Sequence, residues 1–178
     1  MEPTVWTIGH STRPIGEFLD LRSEFGIEAL ADVRRYPGSR HQPQYARDNL
    51  SRAIEETGRV YCWLPSLGGR RRPAPDSPNT AWRSAAFRGY ADYLATEEFA
   101  AGLMELAMLA GGLRTAIMCA EAVWWRCHRR IIADYLILHG REVIHLMGAG
   151  RIEPARMTPA ATERDGHLVY PAPEEAPA

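Results

Sequence analysis

Residues 114–147 read RTAIMCAEAVWWRCHRRIIADYLILHGREVIHLM, and their pattern decides the fold. Arg114 to Met118 is a short apolar run of strand type, and Glu142 to Met147 is another. Between them, Cys127 to Leu138 carries apolar residues at helical spacing. A strand, a helix and a strand in that order form a crossover unit, which returns the chain to the same end and makes the two strands parallel.

The alternation continues upstream. Val5-Trp6-Thr7-Ile8 is β-prone and is broken by Gly9-His10-Ser11-Thr12. Pro14 opens a helix with Phe18, Leu19, Leu21 and Phe25 on its apolar side, stopped by Gly26. Ile27 to Val33 reads as a second strand, ended by Tyr36-Pro37-Gly38-Ser39. Asp48 is expected to cap a helix carrying Leu50, Ala53 and Ile54, and Val60 to Leu64 reads as a third strand. From Ala86 to Leu109 the residues Tyr90, Tyr93, Leu94, Phe99, Leu103, Leu106 and Leu109 suit a helix, with a break near Thr96. The expected fold class is α/β: a single three-layer domain with a mostly parallel sheet of about five strands and helices on both faces. Residues 1–150 make up this domain. Residues 151–178 are rich in Pro and Ala and are expected to be a peripheral or disordered tail. The stretch 70–82, with Pro73, Pro75 and Pro78, reads as a mobile loop.

An apolar fraction of 46% and a net charge of -1 over 178 residues fit one globular domain and not a disordered chain. The near-neutral balance gives no global drive toward nucleic acid or a membrane surface. All 21 basic residues are Arg, which excludes Schiff-base and lysine general-base chemistry and leaves planar forks suited to phosphate or carboxylate. Cys62, Cys119 and Cys127 are an odd, sparse set, unlike a disulfide framework. Met1 to Trp6 lack a basic region followed by an apolar one, and no apolar run nears the ~20 residues that span a bilayer. The expectation is a cytoplasmic protein without membrane association. The cofactor and the oligomeric state both stay open.

In a parallel sheet, ligands bind beyond the carboxyl ends of the strands. The segments after strands one to four therefore share one rim. Cys119-Ala120-Glu121 leaves a strand, and Cys127-His128-Arg129 opens a helix. A thiol facing a helix N-terminus and arginines has its thiolate stabilised. The same helix end, with Arg126, Arg129 or Arg130, suits an anion, and Glu121 and His128 are the acid and base candidates. Plain burial of these thiols, with His128 satisfying backbone groups, is the competing reading. A metal site on Cys119, Glu121, Cys127 and His128 lacks any standard zinc spacing. A phosphatase-type Cys-x5-Arg loop fails because Trp125 stands where Arg is needed.

His10 projects over the rim after Gly9. Asp32 and Arg34 share one side of their strand, where they either pair with each other or serve the site, with Arg34 on an anion and Asp32 orienting His10. Pro65, Gly68, Gly69 and Arg70, Arg71 and Arg72 form a fourth rim segment. It is either a solvated charge run or a polyanion clamp, with Trp82, Trp124 and Trp125 as neighbouring stacking surfaces.

The ordered series Thr7-Ile8-Gly9-His10-Ser11, Asp32-Val33-Arg34 with Pro37 and Ser39, Leu64-Pro65-Ser66-Leu67-Gly68-Gly69, Tyr90-Ala91 and Met118-Cys119-Ala120-Glu121 followed by Cys127-His128-Arg129 resembles the bacterial domain of unknown function 488 family, from about Thr7 to His145. The resemblance implies a compact α/β fold and supplies no activity. Its motif residues fall here on His10, Ser11, Asp32, Arg34, Cys119, Glu121, Cys127, His128 and Arg129. Val123-Trp124-Trp125 stands where the family often has acidic or polar residues, which implies a more apolar pocket or a partner contact.

Three functions compete on these grounds. The first is an enzyme acting on a small anionic or nucleotide-like substrate. There Cys119 is the nucleophile or redox thiol, and His10, His128, Glu121 and Asp32 provide the proton chemistry. Ser11, Arg34, Arg129 and Gly68 bind the substrate. The second is a nucleotide- or nucleic-acid-binding module without turnover, and the third a metal-binding or structural scaffold.

Overall fold

Alternating side chains along the strands sort the core into two layers. In the computed structural model, which describes residues 3–173, the parallel strands are β1 (Val5–Gly9), β2 (Ala29–Asp32), β3 (Val60–Trp63), β4 (Thr115–Cys119) and β5 (Val143–Gly148). They are interleaved with α1 (Ile15–Glu24), α2 (Arg47–Glu55), α3 (Ala85–Tyr93), α4 (Glu97–Gly112) and α5 (Arg129–Leu138). Leu30, Ala116, Met118, Trp6 and Ile8 pack with Phe18 and Leu21 of α1 and Leu50 and Ile54 of α2. Ala31, Ile117, Cys119 and Val5 pack with Tyr90, Phe99, Leu106, Ile131 and Ile132 of α3, α4 and α5. Period-two alternation thus places helices on both faces, as a buried parallel sheet requires.

The sheet holds one strand more than the sequence suggests. Its order is β3-β2-β4-β1-β5-β6, where β6 (Arg151–Pro154) runs antiparallel to β5. A separate hairpin follows, β7 (Thr162–Arg164) with β8 (His167–Val169). Over the described part the stretch from residue 151 is therefore ordered, and it lies at the periphery, with β6 an edge strand and β6 and β7 exposed throughout. Tyr170 is buried and its hydroxyl donates to Asp134 Oδ2 of α5 at 2.8 Å, while Thr158 N–H donates to Asp134 Oδ1 at 2.8 Å. A few well-spaced anchors hold a segment whose composition reads as loop. Residues 174–178 of that stretch, and Met1 and Glu2, lie outside the described residues.

Other boundaries moved for local reasons. The break near Thr96 is real, because the Thr96 hydroxyl accepts from Phe99 N–H at 3.2 Å and starts α4. Asp48 does not cap α2, which begins at Arg47 after Ala46; Asp48 sits in the first turn, where its charge suits the helix dipole. α5 begins at Arg129 and not at Cys127. Trp124–Arg126 form a single 3-10 turn, and Cys127 is extended, with φ -132° and ψ 151°.

The stretch 70–82 has no regular element but is tied down. The Asp92 carboxylate accepts from Ala74 N–H, Ser77 Oγ and Asn79 Nδ2 at 2.6–2.8 Å. Among the described residues, no helix is long and apolar enough to cross a membrane.

Candidate functional site at the carboxyl rim

β1 and β4 are neighbours, yet their onward connections diverge: β1 leads through α1 to β2, and β4 leads through α5 to β5, on opposite faces. This is the switch point at which a parallel sheet opens its rim. The two exit loops stay paired one step beyond the strands, through His10 N–H to Cys119 O and Ser11 N–H to Ala120 O, both 3.0 Å. The close approach demands Gly9, since a Cβ there would collide with the Glu121 carbonyl.

Cys119 ends β4 and Cys127 precedes α5, and their sulfurs are paired with each other across a Cα separation of 7.6 Å. Cys119, the thiol candidate, thus shares a two-sulfur centre with Cys127, where the sparse cysteine set had looked unlike a disulfide framework. An eight-residue spacing, with no Cys-x-x-Cys signature, conceals it. Arg129, 1% exposed, donates from Nε to Cys119 Sγ at 3.1 Å and to Cys127 Sγ at 3.4 Å. Its backbone N–H also donates to Cys127 Sγ at 3.4 Å. The rest of the guanidinium meets only neutral acceptors: Glu121 O at 2.6 Å and Thr7 Oγ1 at 3.5 Å. Among the described residues no carboxylate pairs with Arg129, and burial pulls it down to about 9, with Glu121 opposing that only at a distance. A buried cation without a counter-charge is costly, and the sulfurs are the groups placed to become anionic beside it.

A second relay runs behind Arg129. Thr7 Oγ1 lies 2.7 Å from His145 Nδ1, and the His145 ring stacks on Trp124 with centroids 4.5 Å apart. Because Thr7 Oγ1 accepts from Arg129, its proton is free for His145 Nδ1, which leaves the His145 proton on Nε2. Burial holds His145 at about 3, so it stays neutral. The motifs of the sequence did not single out Thr7 and His145 as site residues. One signal was readable: both are polar residues at inward positions of otherwise apolar strands. Trp124, spent on this stack, does not wall the pocket as its position in the motif suggested.

The β2 end supplies an ion-pair cluster. Arg34 clamps Asp32 with Nε–Oδ1 at 2.8 Å and Nη2–Oδ2 at 2.6 Å, and Tyr61 OH donates to Asp32 Oδ2 at 2.6 Å. Asp32 is completely buried and its acceptors are taken. Arg34 Nη1 reaches His10 Nε2 at 3.2 Å, while His10 Nδ1 lies 2.8 Å from Ser11 O. Since guanidinium and carbonyl allow one polarity only, His10 carries its proton on Nδ1 and accepts at Nε2. Burial lowers His10 to about 4, and its ring stacks on Tyr45 at 4.1 Å. His128 differs. Its Nε2 donates to Val33 O at 2.9 Å, so the Nδ1 lone pair faces Cys127 Sγ at 3.6 Å. Burial keeps it neutral as well, at about 4.

Above the sulfurs opens a pocket of about 320 Å³. Arg34, Arg35, Arg70 and Arg126 give it a cationic lining, Phe87 and Tyr90 an apolar one, and Glu121 its single carboxylate. Cys119, Cys127 and His128 also line it, so the structure brings together the end of β4, the two residues before α5 and Arg34. It does not bring in the rest. His10, Ser11, Asp32 and Arg129 lie outside the lining, and Gly69 lines the pocket where Gly68 was expected. The approach there is close, since a Cβ on Gly69 would lie 3.0 Å from His128 Nδ1.

The Arg70–Arg72 run splits. Arg70 lines the pocket. Arg71 stacks over the Tyr93 ring at 3.7 Å and donates to Gly68 O at 3.1 Å. Arg72 is exposed. The three therefore do not form one clamp. Cys62 lies on edge strand β3, half-buried. No group of three or more His, Cys, Asp or Glu among the described residues is arranged to hold a metal ion.

Neither the curated proteins nor the solved structures contain a match to the chain. The family model for the domain of unknown function DUF488 matches residues 14–136. That span holds Asp32, Arg34, the paired cysteines, His128 and Arg129, and leaves Thr7, His10 and His145 outside it. The chain belongs to the DUF488 family.

Proposed function

We propose that this protein is an enzyme that presents a thiolate of the Cys119–Cys127 pair to a small anionic substrate. The observation that carries the reading is Arg129, buried without a carboxylate and donating to both sulfurs. Once the pair is reduced, ionising one thiol supplies the missing counter-charge. The N–H groups at the start of α5 add to the same field. Cys119, nearest to Nε, holds the thiolate. His128 Nδ1 takes or returns the Cys127 proton, and Glu121 offers a carboxyl group at the pocket edge. Arg34, Arg35, Arg70 and Arg126 draw in the anion. His10 and Asp32 act through Arg34 and are positioning residues. The cytoplasmic location expected from the sequence would keep the pair reduced.

The test is alkylation of the reduced protein by iodoacetamide, followed peptide by peptide. Cys119 or Cys127 should react at about pH 6, where an ordinary thiol is almost wholly protonated, and inorganic phosphate should slow that reaction. If Cys62 alone reacts, and only above about pH 8, the reading is wrong.

One observation favours binding without turnover. Tyr36 is 62% exposed, with the Arg35 and Arg70 guanidinium carbons 5.4 and 6.0 Å from its ring centre. That is a stacking platform for a base beside a phosphate site. Oligonucleotide binding that falls steeply with salt, and survives Cys119→Ala, would favour this second reading.

A further inference from the structure

We propose that Cys119 and Cys127 work as a dithiol–disulfide couple that exchanges with small anionic thiols admitted through the arginine-lined pocket. This rests on the thiolate reading above and extends it from one reactive sulfur to two. Each sulfur has its own support. Cys119 Sγ takes the shorter bond from Arg129 Nε, 3.1 Å against 3.4 Å, so it is the better place to leave a negative charge. Cys127 Sγ faces the His128 Nδ1 lone pair at 3.6 Å, so it is the better place to leave a proton. One member of the pair is thus suited to remain a thiolate and the other to be a thiol. An exchanging pair needs this asymmetry.

The pocket selects the reactant by size and sign. The cysteines are 3% and 4% exposed. A folded partner cannot bring its own sulfur to them, whereas a pocket of about 320 Å³ admits a small molecule. Arg70 and Arg126, which line the pocket, are exposed, and Arg35 beside them is half-buried. An incoming carboxylate-bearing thiol meets several guanidinium groups and one carboxylate, whereas a cationic thiol is repelled.

The step balances. The first thiolate attacks Cys127 Sγ; the Cys119–Cys127 bond breaks, and Cys119 leaves as a thiolate beside Arg129. The second thiolate attacks the outer sulfur of the mixed disulfide, and Cys127 leaves and is protonated. Two thiols become one small disulfide. Of their two protons, one ends on Cys127 and one goes to solvent, which matches the thiolate retained on Cys119. The reverse sequence reduces a small anionic disulfide.

The experiment uses the full chain with Cys62→Ser, oxidised by diamide. Intramolecular pairing is read from peptide mass after alkylation. Rates of reduction by mercaptosuccinate, 2-mercaptoethanol and cysteamine are then compared per unit of thiolate. The couple predicts quantitative Cys119–Cys127 pairing. It also predicts a rate for mercaptosuccinate at least about tenfold above that for cysteamine at low salt, narrowing at about 1 M salt. Substituting the exposed pair, Arg70→Gln with Arg126→Gln, should shrink that ratio while the unfolding curve stays unchanged. Equal rates for the three thiols would overturn the anionic class. A protein that never forms the pair, yet alkylates quickly at low pH, would overturn the couple and leave the single-thiolate reading standing. Slow alkylation of both reduced cysteines would overturn that reading and the couple with it.

Discussion

Arg129 governs the site because burial strips water from its guanidinium and leaves only two sulfurs, a hydroxyl and a carbonyl beside it. Its neighbours show how strictly the rim is packed. Gly9→Ala drives a methyl group into the Glu121 carbonyl, and overpacking of this kind costs about 1–3 kcal/mol. Urea unfolding should show that loss; a variant as stable as the parent would mean that the two loops are not in contact. Asp32→Ala leaves Arg34 and the Tyr61 hydroxyl without their acceptor, and breaking such a buried pair costs about 3–5 kcal/mol. A loss below about 1 kcal/mol would contradict the clamp. At this scale the sequence was informative where position alone decides: Cys119, Arg34 and His10 follow parallel strands, and that alone places them on the rim. Of their partnerships only that of Arg34 with Asp32 was legible, as one of two alternatives. Nothing local says that His10 spends both ring nitrogens on Ser11 and Arg34, or that Thr7 meets His145 from a strand 138 residues away.

Elements were legible where their signals are local. Thr96 breaks the long apolar run because its hydroxyl caps the next helix, and Thr96→Ala should cost about 1 kcal/mol. An unchanged urea midpoint would show that packing of Phe99 alone sets the start of α4. The start of α5 was not legible. Residues 127–138 have helical periodicity, but Cys127 turns inward toward Cys119 and stays extended, so the helix waits until Arg129. The same blindness hid the segment after Arg151. Its hold on α5 consists of Thr158 and Tyr170 meeting one buried carboxylate, Asp134, and Pro- and Ala-rich surroundings give no periodic hint of it. Tyr170→Phe removes one donor from that carboxylate and should destabilise the protein by about 1–3 kcal/mol. Limited proteolysis should then cut first between residues 155 and 170; unaltered cleavage would mean that the segment is held by β6 pairing and Leu168 alone.

For the molecule as a whole, the buried imidazoles fix the pH response. His10 and His128 are held at about 4 and His145 at about 3 in the folded protein, chiefly by burial, against an ordinary value of 6.5. Between those limits the unfolded chain binds more protons. Stability is therefore fully present above pH 6.5 and falls as the pH drops toward 4, by up to about 4 kcal/mol per pH unit if all three contribute. Urea midpoints that stay flat from about pH 6.5 to 4.5 would show that these rings are solvated. The arrangement of the molecule follows from the same economy of burial. Apolar strands sit between helices on both faces, and polar groups gather where β1 and β4 part, with Arg129 buried among them. The most direct test of its role is the ultraviolet absorbance of thiolate in the reduced protein carrying Cys62→Ser, titrated with and without Arg129→Gln. With Arg129 present, close to one thiolate should already absorb at about pH 6, and Arg129→Gln should move its appearance to about pH 8 or above. Two thiols that ionise only at about pH 8–9 in both proteins would contradict the account.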